Sequence, residues 1–152
     1  MIVVDSNIIA AQCLTSSLTS AAKQVEEQDP VWIVPVLWRY EFQNILATAI
    51  KGKQIESEQA LDIWEKVSKM LMENEYEPSV SGVIGLVARY GITAYDGQFI
   101  AAALEMGILC VSEDRELQEK FPGVAISMNR FLKPESTDVV GDVKARYRKR
   151  KV

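Results

Sequence analysis

Four short apolar runs punctuate the chain: "IVV" at residues 2–4, "VWIV" at 31–34, "ILCV" at 108–111 and "VAI" at 124–126. None alternates apolar with polar, so none reads as a strand with one wet face. Runs of this kind are strands covered on both sides. Amphipathic helical patterns lie between them, and parallel strands need such crossovers to return to the same edge. The pattern predicts an α/β fold, a parallel sheet of about four to five strands between two layers of helices.

The helices carry their own punctuation. "SNIIAAQCL" follows the first strand, with Ser6 and Asn7 as plausible caps. "SLTSAAKQVEEQD" puts Leu18, Ala21, Ala22 and Val25 on one face and breaks at Asp29-Pro30. Pro35 is expected to open "PVLWRYEFQNILATAIKGK", where Leu37, Trp38, Phe42, Ile45, Leu46 and Ala49 recur at helical spacing and Gly52 is the stop. Ser57 starts a helix with Leu61, Trp64, Val67 and Leu71 facing inward and Glu65–Lys69 as an i,i+4 pair. Two further helices end at Gly91 and Gly107, and a short one, "DRELQEKF", precedes the last strand. Glu73, Glu75 and Glu77 read as a solvated run at a helix end. Residues 1–133 form one domain, and residues 134–152 a polar, then basic, flexible tail.

Composition removes whole classes of chemistry. The chain of 152 residues has no histidine, which excludes Ser-His-Asp and Cys-His catalysis and His-containing zinc sites. Cys13 and Cys110 match no metal spacing and read as free thiols in or near the core. No apolar stretch is long enough to span a membrane, and the N-terminus is unlike a secretory signal, so a cytoplasmic location is expected. The formal charge of −4 is unevenly spread. The last nine residues, "KARYRKRKV", hold six basic side chains, while residues 1–143 hold 11 Lys and Arg against 21 Asp and Glu, a formal −10. So acidic a body suits nucleic acid only with cations in between.

Open parallel sheets bind ligands at the carboxyl ends of their strands. Asp5 follows "IVV" there and Asp114 follows "LCVS". Glu41 interrupts an apolar helix face between Trp38 and Phe42, and Asp96 lies in the first turn of "TAYDGQFIAAALEMG". If these helices start at the same sheet edge, four carboxylates converge. Their repulsion and desolvation call for a divalent cation, and oxygen-only ligands call for a hard one, Mg²⁺ or Mn²⁺. Each acid also has a plainer reading. Asp5 and Asp114 can cap the helices after them, Thr93 and Asp96 can form a capping box, and Glu41 can sit on a wet helix edge. Glu113 reads as solvated, and Ser112 either orients a carboxylate or simply ends its strand. Trp32, Trp38, Trp64 and Tyr40 read either as core or as part of a partner surface.

Taken in order, "IVVDSNIIA", "PVLWRYEFQNIL", "YGITAYDGQFIAAALEMGI" and "LCVSEDREL" resemble the PIN-domain family, in particular the toxin ribonucleases of VapBC-type toxin–antitoxin pairs. The resemblance covers about residues 1–133. It implies a three-layer α/β/α fold and metal-dependent hydrolysis of RNA with Mg²⁺ or Mn²⁺. It further implies an antitoxin partner and a homodimer. Asp5, Glu41, Asp96 and Asp114 match the family's four acids, and Asn7 and Ser112 match supporting polar positions. Ser112 stands where Thr is common. Gly97 stands where Ala is frequent and is expected to loosen its turn slightly. A PIN nuclease of RNA processing and a non-catalytic PIN-fold binding module remain alternatives. A receiver-type signalling domain would need a Lys at a strand mouth beside the acids, and none follows "ILCVS" or "VAISM".

Overall fold

The computed structural model describes residues 1–133. Both the tail expected over residues 134–152 and its basic end lie outside the described residues. The elements run β1 (Ile2–Val4), α1 (Ser6–Cys13), α2 (Thr19–Gln28), β2 (Trp32–Pro35), α3 (Trp38–Lys51), α4 (Ser57–Leu71), β3 (Glu75–Tyr76), α5 (Val80–Tyr90), α6 (Ala94–Met106), β4 (Cys110–Val111), α7 (Arg115–Lys120), β5 (Ala125–Ile126) and α8 (Met128–Leu132). The sheet has five strands in the order β3-β2-β1-β4-β5, and every pairing is parallel. No helix among the described residues is long and apolar enough to cross a membrane.

The apolar strands divide their side chains between two cores, as the two-residue pleat requires. Ile2, Val4, Trp32, Val34 and Val111 pack with α1, α2, α3, α4 and α8 on one face. Val3, Ile33, Cys110 and Ala125 pack with α5, α6 and α7 on the other. This is the expected three-layer arrangement. Cys13 and Cys110 are free thiols, the second fully buried.

Several expectations need correction. Pro35 ends β2 instead of opening a helix, and α3 begins at Trp38. Strand residues tolerate Pro at a strand end, where its missing N–H costs no ladder bond. Leu61 is 69% exposed, because α4 packs through Ala60, Val67 and Leu71 on a neighbouring stripe. Trp32 and Trp38 are core residues, Trp64 is partly buried and stacks on Trp38 at 5.3 Å, and Tyr40 is 68% exposed. Gly97 sits in the first turn of α6, against α5. It is buried, and a Cβ there would meet Val83 Cγ1 at 3.2 Å, so its lack of a side chain lets α6 lie close on α5. The edge strand β3 and the short α8 were not expected from sequence.

Candidate active site

The carboxyl ends of β1 and β4 lie side by side, because Val4 pairs with Val111 and the Asp5 amide donates to the Val111 carbonyl. That register brings Asp5 next to Ser112. The fully buried Ser112 hydroxyl donates to Asp5 Oδ2 at 2.5 Å and accepts from Asn7 Nδ2 at 3.3 Å and the Asp114 amide at 3.0 Å. Asn7 Nδ2 also donates to Asp5 Oδ2 at 2.8 Å, and Asn7 Oδ1 accepts from the Glu113 amide at 3.2 Å. Asn7 and Ser112 therefore both hydrogen-bond the Asp5 carboxylate. Asp5 stands at the N-cap position of α1 without a side-chain cap bond, because Ser112 and Asn7 engage its carboxylate.

Glu41 lies in the first turn of α3, half-buried, and its Oε2 accepts from the Ser6 hydroxyl at 2.5 Å. It is not a solvated helix edge. Ser6 is buried, and its role here was not read from the sequence, where it passed as a possible cap. Asp96 lies in the first turn of α6, where its amide donates to the capping Thr93 hydroxyl at 3.0 Å and its Oδ2 accepts from that hydroxyl at 2.6 Å. Asp114 caps α7 by accepting from the Leu117 amide at 3.1 Å. Glu113 corrects the expectation of a solvated acid: it is half-buried and accepts from the Met128 amide at 2.8 Å, tying the mouth of β4 to the start of α8.

Electrostatics connect three of the four acids. Burial raises the Asp5 carboxyl above its ordinary value, hydrogen bonds from Ser112 and the local backbone oppose this, and the nearby charge of Asp96 adds to the rise. Burial likewise raises Glu41, against the Ser6 bond, with the charges of Asp5 and Asp96 adding to it. Asp5, Glu41 and Asp96 thus share one field, while Asp114 is linked to Asp5 through the Ser112 hydroxyl. The ion pairs Met1–Asp29, Arg39–Glu75, Lys69–Glu65 and Lys120–Glu116 involve none of the four.

Carboxylate oxygens held by hydroxyls and amides are a donor set that suits a hard divalent ion. Among the described residues no three acid, His or Cys side chains are already gathered as a metal-binding group. Each of the four acids instead gives an oxygen to a hydroxyl or an amide.

Acids at the strand ends of a parallel sheet define a class, and the comparison with known families agrees: the PIN domain model matches residues 2–121, and the chain belongs to the PIN domain family. Among individual proteins it is similar to Ribonuclease VapC3 of Pyrobaculum aerophilum, 26% identical over 126 residues that cover 81% of this chain and 96% of that protein. It is also similar in fold to the crystal structure of PAE2754 from Pyrobaculum aerophilum, with a TM-score of 0.69 at 23% identity, covering 86% of this chain and 92% of that one.

Proposed function

We propose that this protein is a divalent-metal-dependent endoribonuclease that hydrolyses RNA phosphodiester bonds, as the toxin of a type II toxin–antitoxin pair. The observation that carries the reading is the placement of Asp5, held by Ser112 and Asn7, and Glu41, held by Ser6, close enough to each other and to Asp96 that their charges interact. Asp5, Asp96 and Asp114 would hold Mg²⁺ or Mn²⁺, with Glu41 completing the set directly or through water. The chemistry supplied by such an ion when bound is a more acidic water and positive charge beside the scissile phosphate. Ser112 and Asn7 fix the Asp5 carboxylate, and Ser6 fixes Glu41, so both acids are oriented before substrate arrives.

Histidine and thiolate are out of play as nucleophiles. The chain lacks histidine. Burial pushes the Cys13 thiol up to about 11 and raises Cys110 further, so neither is a thiolate near neutral pH. In this reading water is the attacking group and the products carry 5′-phosphate and 3′-hydroxyl ends, as the family resemblance implies. The test is cleavage of a labelled RNA with Mg²⁺, with EDTA, and with Mn²⁺ restored. Cleavage that survives chelation, or 2′,3′-cyclic phosphate ends, rejects the mechanism.

Partners follow from the same reading. The apolar groove between α3 and α4, lined by Leu46, Ala47, Ile50, Ala60, Leu61 and Trp64, suits an antitoxin helix. A second copy of the chain is the other partner the family implies, and light scattering on the purified protein measures it. Growth arrest on expression, relieved by a product of the neighbouring reading frame, separates a toxin from an RNA-processing PIN nuclease. RNA binding without cleavage in any metal marks a non-catalytic binding module.

A further inference from the structure

Helix α3 presents Glu41 in its first turn, yet the helix has no side-chain cap of its own. Leu37 occupies the N-cap position with helical backbone angles and makes no cap bond. The start of α3 is held from outside. Trp38 is fully buried, and its indole N–H donates to Glu75 Oε1 at 2.8 Å. Arg39 donates through Nε to the same oxygen at 2.5 Å and through Nη2 to Glu75 Oε2 at 2.7 Å. Glu75 belongs to β3 and pairs with Val34 of β2. One carboxylate on the edge strand therefore grips two consecutive residues of the α3 first turn. The planar guanidinium fork and the rigid indole leave that grip little rotational freedom.

Trp38 and Glu41 are three residues apart and neighbours on one side of the helix. A roll of α3 moves both together. The Glu41 carboxylate meets Ser6 on α1, so its reach toward Asp5 is set by where α3 starts and how it is rolled. We infer that Glu75 is a positioning residue for Glu41, acting through Trp38 and Arg39. It is separate from the four acids, since its own carboxylate is occupied by these three donors. The inference rests on the nuclease reading, and it assigns a task to an acid that looks solvated in the sequence.

The test is a double-mutant cycle on Glu75 and Glu41, read by RNA cleavage and by Mn²⁺ titration calorimetry. Outer-sphere partners of this sort carry roughly 10- to 100-fold in activity or metal affinity. Glu75→Ala is expected to lower kcat about 10-fold, leave KM for RNA unchanged and weaken Mn²⁺ binding, and Glu75→Gln, which keeps an acceptor for Trp38, to lose less. In the Glu41→Gln background, Glu75→Ala is expected to cost nothing more. Glu65→Ala, which removes an exposed ion pair on α4, is the control and should match wild type. Wild-type kcat and Mn²⁺ affinity in folded Glu75→Ala would overturn the inference, as would an equal loss in both backgrounds. If the alanine variant does not fold, Glu75→Gln is held to the same two criteria. A wild-type protein that neither cleaves RNA nor binds Mn²⁺ defeats the nuclease reading, and the positioning role falls with it. Activity that is intact in wild type and in the variant defeats only the positioning role.

Discussion

Two edges of one sheet treat their acids in opposite ways. At the mouth of β1 and β4, Asp5 leans on Ser112 and Asn7, and Glu41 leans on Ser6. At the β3 edge, Glu75 takes the Arg39 guanidinium and the Trp38 indole. The first pair of carboxyls is raised by burial, and Glu75 is lowered chiefly by the Arg39 bond. Glu75 meets a guanidinium, whereas the bonds that hold Asp5 and Glu41 come from uncharged hydroxyls and an amide, which leave a carboxylate electrostatically unfinished. Unfinished acids destabilise the fold and await a ligand charge, whereas finished ones hold elements together.

The contrast can be broken most decisively with Asp5→Asn. It is expected to cut RNA cleavage more than about 100-fold, beyond the range seen for outer-sphere partners, while circular dichroism stays native. Removing residues 134–152 tests a smaller effect. If the six tail cations track phosphates, RNA affinity falls and its log–log salt slope flattens by roughly 0.7 per lost contact with a single strand; filter binding at several salt concentrations reads both.

Stability should move in opposite directions at the two edges. A raised carboxyl contributes stability that is complete below its unfolded pKa and is lost as pH rises through its folded pKa. In metal-free protein, Asp5→Asn should therefore raise Tm by a few degrees at pH 7, with the gain fading toward pH 4. Glu75 has the reverse sign: its contribution is complete above the ordinary glutamate value and disappears as pH falls through the lowered folded value. Glu75→Gln should thus lower Tm at pH 7 by a small amount, with the loss shrinking as pH falls below the ordinary glutamate range. Smallest of all, Glu65→Ala should leave Tm within error, since that pair is exposed and screened. Equal pH profiles for Asp5→Asn and Glu75→Gln would erase the distinction between the edges.

Much of this architecture was legible in the residues, and what escaped did so for physical reasons. Continuous apolar runs exposed four of the five strands, and glycines in left-handed geometry marked the ends of α5 and α6 at Gly91 and Gly107. β3 has only two residues and no period to detect. Glu75 sits among Glu73 and Glu77, and its partner Arg39 is 36 positions away, so local pattern reads it as wet. Leu61 shares helical spacing with buried neighbours, but spacing does not say how wide a stripe the sheet will cover. Asp96 and Asp114 kept both readings, because a side chain can cap a helix with one oxygen and still face the strand mouth.

A hydroxyl has one proton and two lone pairs. Ser112 uses all three, giving the proton to Asp5 and receiving from Asn7 and the Asp114 backbone. Threonine can repeat that trio on a β-branched frame, while alanine would orphan groups from two chain segments more than a hundred residues apart in one stroke. The quietest way to silence the pocket is to erase a single uncharged oxygen and leave every carboxylate in place.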